Sequence, residues 1–324
     1  MGYPLWMAAA VAGVVVLILL ITQVLLPAFD EEETPARNRT WLEFQWTSEP
    51  FSPDAVQSLG ERLADHAIDR VYVEAAAWLS DGTLLYGDHA EQFGQALRQA
   101  YPQIEILLWL RMTGEQIADA GQREQVVALA RTSVHEWAFD GVQLSGLGVA
   151  NQSEAYVGLL RSLGDAIGEE ALLSVTVPPD RIPADPDVPA SAAGAPELTW
   201  DVDYKQRVGL LGVEEAVIMA HASGLKDPVA YEAWVAYQVV SYVEAFAGLE
   251  SPPGLIVALP TYEAAPEHDP AVEDVRAAAR GVKEGITRAG EGARLVRGVG
   301  LYEYKTTDSL EWQLFAEHWL GKKQ

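Results

Sequence analysis

The chain reads as an α/β protein, a (β/α)8 TIM barrel preceded by one N-terminal transmembrane helix. Three observations predict this. Eight short apolar runs alternate with helical patterns from residue 40 to 320. Parallel strands need crossover connections, so strict alternation implies a parallel sheet, and eight units imply its closure. The runs are nearly continuous in apolar residues, as in strands covered on both faces. The third observation is an uncharged stretch from Leu5 to Leu26, broken only by Thr22 and Gln23. As a helix it would span about 33 Å, enough for a bilayer core.

Residues 1–29 are therefore expected to be a retained signal anchor, with Tyr3 and Trp6 at one interface. A cleaved signal peptide is the competing reading. The missing basic n-region and the length of the apolar run weigh against it. A single-pass anchor with the barrel outside the cytoplasm follows. Residues 30–39 form an acidic linker around Asp30-Glu31-Glu32-Glu33, and residues 40–324 form the barrel domain.

The eight strand runs are Thr40 to Trp46, Val71 to Leu79, Ile104 to Arg111, Phe139 to Leu147, Leu172 to Val177, Glu215 to Ala222, Leu255 to Tyr262 and Gly298 to Tyr304. Helical patterns between them cover Pro53 to His66, Ala90 to Ala100, Arg123 to Trp137, Ser153 to Ile167, Tyr204 to Leu211, Pro228 to Ala247, Ala271 to Ala289 and Asp308 to Leu320. Ser52-Pro53 and Asp269-Pro270 read as helix starts, with a cap followed by proline. Asp308 reads as the cap of the last helix. Asp81-Gly82-Thr83 reads as a turn. Pro178 to Trp200 is rich in Pro, Ala and Asp and reads as a long loop over the barrel mouth. A doubly wound sheet would need a glycine-rich turn after the first strand. Thr47-Ser48-Glu49-Pro50 is not one.

Composition excludes several function classes. The formal net charge of −25 opposes nucleic acid and anionic headgroups. The absence of cysteine excludes disulfides, thiolate catalysis and cysteine zinc sites. Six histidines show no paired metal spacing, so neither a metal nor a cofactor is implied.

The fourth run, Phe139-Asp140-Gly141-Val142-Gln143-Leu144-Ser145-Gly146-Leu147, resembles the fourth strand of chitinase-like glycoside hydrolases of family 18. That family's motif is Asp-Gly-x-Asp-x-Asp-x-Glu, with the final Glu as general acid. Asp140 and Gly141 match, while Gln143, Ser145 and Leu147 occupy the three acid positions. Leu255 to Tyr262 resembles the family's strand ending Gly-x-Pro-x-Tyr, and Val217 to Ala222 the strand ending Met-x-Tyr-Asp, with His221 for the Tyr and Ala222 for the Asp. Tyr302 stands near the last strand's tryptophan position. The resemblance implies a glycan or cell-wall polymer as ligand. It also implies that the usual proton donor and its neighbouring carboxylate are lost.

Side chains alternate along a strand, so Gln143, Ser145 and Leu147 share one face. The ligand-binding residues expected at the mouth are Trp78, Trp109, Gln143, Ser145, His221, Tyr262 and Tyr302. Each Trp could instead cover core, and His221 could be a hydrogen-bonded core residue rather than an acid or base. Substitute catalytic groups would be Glu74, Glu263 and His221. Glu74 lies mid-strand and needs a partner, with Arg111 the candidate. Glu263 reads equally as a solvated loop residue. Parity opposes Glu303 to Tyr302, turning it toward the helices if Tyr302 faces the mouth. Asp140 begins its strand far from the mouth and reads as structural. Three functions stay open: a degenerate glycan-binding barrel, an active glycosidase with relocated acids, and an interaction scaffold.

Overall fold

The structure, a computed structural model, describes residues 37–180 and 198–322. Among them no helix is long and apolar enough to cross a membrane. The expected anchor at 5–26, the acidic linker up to residue 36 and most of the 178–200 loop lie outside the described residues.

The described chain closes an eight-stranded parallel barrel. Its strands are β1 (Asn38–Leu42), β2 (Ile68–Glu74), β5 (Glu105–Thr113), β6 (Gly141–Leu147), β7 (Leu172–Val177), β8 (Glu215–Ile218), β9 (Gly254–Pro260) and β10 (Val296–Tyr302), with β10 returning to β1. Between β2 and β5 lies an antiparallel hairpin of β3 (Ala76–Trp78) and β4 (Leu84–Tyr86). Helices at Pro53–Asp65, Ala90–Ala100, Ala120–His135, Glu154–Ile167, Val202–Gly209, Pro228–Phe246, Val275–Ala289 and Ser309–His318 fall between successive barrel strands or after the last one. The expected caps at Ser52 and Asp308 form: Ser52 Oγ accepts from Ala55 N, and Asp308 with Glu311 makes a reciprocal capping box.

Three local expectations are corrected. Val71 to Leu79 is not one strand: β2 ends at Glu74, and Gly87 N donates to Ala75 O at 2.9 Å as the hairpin folds back. Trp78 thus sits on the hairpin, not on a barrel strand. The helix expected from Ala271 begins at Val275, capped by Asp274, because Glu273 turns inward to other partners. The helix expected from Arg123 begins at Ala120 under an Asp119 cap, after a short turn of helix at Gly114–Ala118.

The barrel interior is stacked in layers. At the amino-terminal end, Arg39, Arg70 and Glu215 are almost wholly buried. Glu215 Oε2 accepts from Arg39 Nη2 at 2.8 Å and Arg70 Nη1 at 2.9 Å. Its Oε1 accepts from Tyr72 and, at 3.1 Å, from Ser174. Burial would raise the Glu215 pKa, but the two guanidiniums and the Tyr72 hydroxyl outweigh it and hold the carboxyl at about 2. Above this layer, Trp41, Tyr72, Leu107, Trp109, Val217, Ile256 and Ala258 form an apolar cluster. Gly300 admits the Trp41 indole, since a Cβ there would lie 2.7 Å from its ring.

Asp140 and Gly141 serve this frame. Asp140 Oδ2 accepts from Ile106 N at 2.7 Å and Arg98 Nη2 at 2.9 Å. A Cβ on Gly141 would stand 2.0 Å from Leu172 O, so only glycine lets β6 and β7 approach there.

Replacing Glu215 with Ala removes the one fully buried partner shared by two guanidiniums, leaving Arg39 only Asp69 and Arg70 only Glu105, both partly exposed. The expected loss is about 3–5 kcal/mol of stability, read as a lowered denaturant midpoint. An unchanged midpoint would remove the ionic layer from its structural role.

Candidate active site at the barrel mouth

The carboxyl ends of the strands bring together most of the residues expected there. Inward-facing positions recur every second residue within a strand, so Tyr72 and Glu74, Trp109 and Arg111, and Gln143 and Ser145 rise in pairs, while Glu43 follows Trp41 just past the end of β1. Trp41, Trp109 and Tyr302 pack edge to face, with centroid distances of 6.5, 5.0 and 6.2 Å. The Trp109 indole is 1% exposed, so it belongs to the interior layer as well as to the mouth.

The three positions on β6 have distinct fates. Gln143 is fully buried; its Oε1 accepts from Trp41 Nε1 at 2.9 Å. An indole nitrogen only donates, which fixes the amide orientation. Gln143 Nε2 then has no protein partner. The Ser145 hydroxyl accepts from Trp109 Nε1 at 2.9 Å. Leu147 is 53% exposed.

His221 follows the end of β8. Its ring stacks on Tyr302 at 5.2 Å and 15°, and Nδ1 lies 2.9 Å from the Tyr262 hydroxyl. Its Nε2 is buried without a partner. Burial lowers the imidazole pKa to about 4, overcoming the opposing pull of Glu273. Behind it, Glu273 accepts from Ala222 N at 2.8 Å and Ser223 N at 2.7 Å, and His268 Nδ1 lies 2.6 Å from the same carboxylate. This buried tie fixes the loop after β8 against the loop after β9, and so positions His221.

The opposite rim is acidic. Glu74 is buried and accepts from Arg111 Nε at 2.9 Å and Nη2 at 2.7 Å; Phe44 N donates to its other oxygen at 3.3 Å. The Arg111 guanidinium lies 4.9 Å over the Trp109 ring, and Trp78 Nε1 donates to Arg111 O at 2.9 Å. Glu263 is an exposed loop residue. Glu303 departs from its parity assignment. β10 ends at Tyr302, so alternation no longer governs residue 303. The Glu303 carboxyl is half-buried and lies within electrostatic reach of Arg111, Glu43 and Glu74. Burial, ahead of these charges, raises its pKa. Trp41 and Glu43 are mouth residues that motif reading passed over. Counting by twos along β1 would have found Trp41, whereas Glu43 lies just past the end of that strand.

The His221 geometry sets a titration. A folded pKa below the unfolded value means the neutral ring stabilises the fold fully above about pH 6.5, a contribution lost as pH falls toward about 4. NMR of the imidazole protons should give a His221 midpoint near 4; a midpoint at or above 6.5 would refute the buried neutral ring.

No family profile and no curated protein matches the chain. Solved structures do. A chitinase from Chromobacterium violaceum superposes with a TM-score of 0.58 at 13% identity, over 89% of this chain and 99% of that one. The Cycas revoluta family 18 chitinase, solved with allosamidin, gives 0.57 at 14% identity, over 87% and 99%. The Bacillus cereus spore cortex-lytic enzyme SleL gives 0.57 at 13%, over 87% and 74%. At this identity the likeness concerns architecture, and the chain has the barrel fold of family 18 chitinases and SleL.

Proposed function

We propose that the barrel mouth binds a glycan built from N-acylated amino sugars and does not cleave it through β6. One observation carries this reading. The half-buried rings of His221, Tyr262 and Tyr302 meet at the mouth, and His221 Nε2 among them has no hydrogen-bond partner. An unpaired buried polar group costs about 1–3 kcal/mol. A ligand offering hydroxyl and amide oxygens between apolar ring faces relieves that cost. Sugars have this mixture, and structurally similar proteins are described with chitooligosaccharides and with allosamidin. The absence of cleavage rests on β6 itself: Gln143, Ser145 and Leu147 supply neither a proton donor nor a carboxylate.

A hydrolytic reading has one specific observation in its favour. Glu303, with a raised pKa, shares the rim with the ion-paired Glu74. Two carboxyl groups in unlike environments are what acid and base roles require.

Titrating the protein with N-acetylglucosamine oligomers by calorimetry, with a parallel cleavage assay, separates the two readings. Binding without cleavage is the expected result. Replacing His221 with Leu should weaken binding about tenfold, or about 1.4 kcal/mol. Cleavage that disappears in Glu303→Gln would replace this reading with the hydrolytic one. Neither binding nor cleavage would sink both.

The proposal includes anchoring through residues 5–26, with the barrel displayed outside the cytoplasm, supported by the uncharged apolar run. The protein should stay in the membrane fraction through alkaline carbonate extraction and enter the detergent phase. Release by carbonate would refute a spanning anchor.

A further inference from the structure

A second concavity lies beside the mouth, between the segment after β1 and the segment after β10. It has a volume of about 360 Å³ and is lined by Trp46, Phe51, Tyr304, Glu43, Glu49 and Lys305, among others. Its aromatic walls are braced from behind. Trp46 and Phe51 pack on Phe93 at 5.4 and 5.7 Å, and Tyr304 packs on Trp312 at 6.0 Å. Glu43 Oε1 is buried and accepts no hydrogen bond. Burial raises the Glu43 pKa, against the opposing effects of the exposed Lys305 and of N–H groups from Glu43, Lys305 and Trp46, and no ion pair joins Glu43 to Lys305 among the described residues. Two carboxylates against one lysine leave the lining one negative charge in excess.

We infer that this groove binds a primary alkylammonium group, seated between the aromatic side chains with its N–H groups on Glu43. A cation near aromatic rings is attracted by their quadrupoles, more strongly where water is excluded. The ammonium supplies the donor that Glu43 Oε1 lacks and the charge that the lining lacks, while its alkyl portion covers Trp46 and Phe51. A neutral amide supplies no charge, and an anion would meet both carboxylates. The inference does not depend on what the mouth binds.

The test uses the whole protein and ligand-observed NMR titration. One pair of probes is Nα-acetyl-lysine methylamide and the same compound with its side-chain amine acetylated. The other is D-glucosamine and D-glucose, a neutral twin without the N-acyl group proposed for the mouth. Each ammonium form should bind at least tenfold more tightly than its neutral twin, and the tighter of the two ammonium probes identifies a peptide or a sugar amine as the source. Glu43→Gln should weaken ammonium binding about tenfold. Lys305→Ala, at an exposed position where folding is undisturbed, should tighten it. Equal affinity for charged and neutral twins would overturn the inference, as would ammonium affinity that Lys305→Ala leaves unchanged or weakens.

Discussion

One buried carboxylate organises this barrel. Glu215 from β8 takes hydrogen bonds from Arg39 on β1, Arg70 and Tyr72 on β2, and Ser174 on β7. It thereby ties β8 to strands on the far side of the ring, which the backbone ladder alone links only through neighbours. Removing one member leaves charge in a place where water does not reach, which is why such clusters are fragile to single changes though not intrinsically strong. The ionic layer also sets the height of everything above it. With Arg39 and Arg70 at the base, alternation puts Trp41 and Tyr72 in the next layer and Glu74 at the rim.

On β6 the side chains that face the barrel centre are neutral. Gln143 and Ser145 each accept from an indole nitrogen, so the two tryptophans are held in register with β6. The polar side chains thus help pack the interior as well as face the opening. Carboxyl groups are present, but just after β1, on β2 and just after β10, on the other side of the mouth. Arg111 gathers them: it pairs with Glu74, covers Trp109 and moderates the rise in the Glu303 pKa.

Most of this architecture is legible in the sequence. The Leu172 to Val177 strand and the Ala90 to Ala100 helix fall where their patterns place them, because apolar runs and helical periodicity record burial directly. Failures occur where side-chain partners override pattern. Val71 to Leu79 looks continuous, yet backbone pairing turns it into a hairpin after Glu74. Asp269-Pro270 looks like a helix start, yet Glu273 is drawn into the tie with Ser223 and His268, and the helix waits for Asp274. Glu303 escaped because alternation holds only inside a strand. The orphan nitrogens of Gln143 and His221 left no trace in the sequence, since they depend on what all eight strands bring to the centre.

Gly141 carries a consequence for how such barrels are recognised. Its lack of a side chain answers to the Leu172 carbonyl, and Asp140 answers to the Ile106 amide and Arg98. Both belong to the seam between neighbouring strands, below the opening. The first half of the familiar signature is therefore a construction requirement, indifferent to whether any bond is cleaved above it. Asp-Gly at this place in a chain reports how two neighbouring strands are joined, and carries no information about the chemistry of the opening above them.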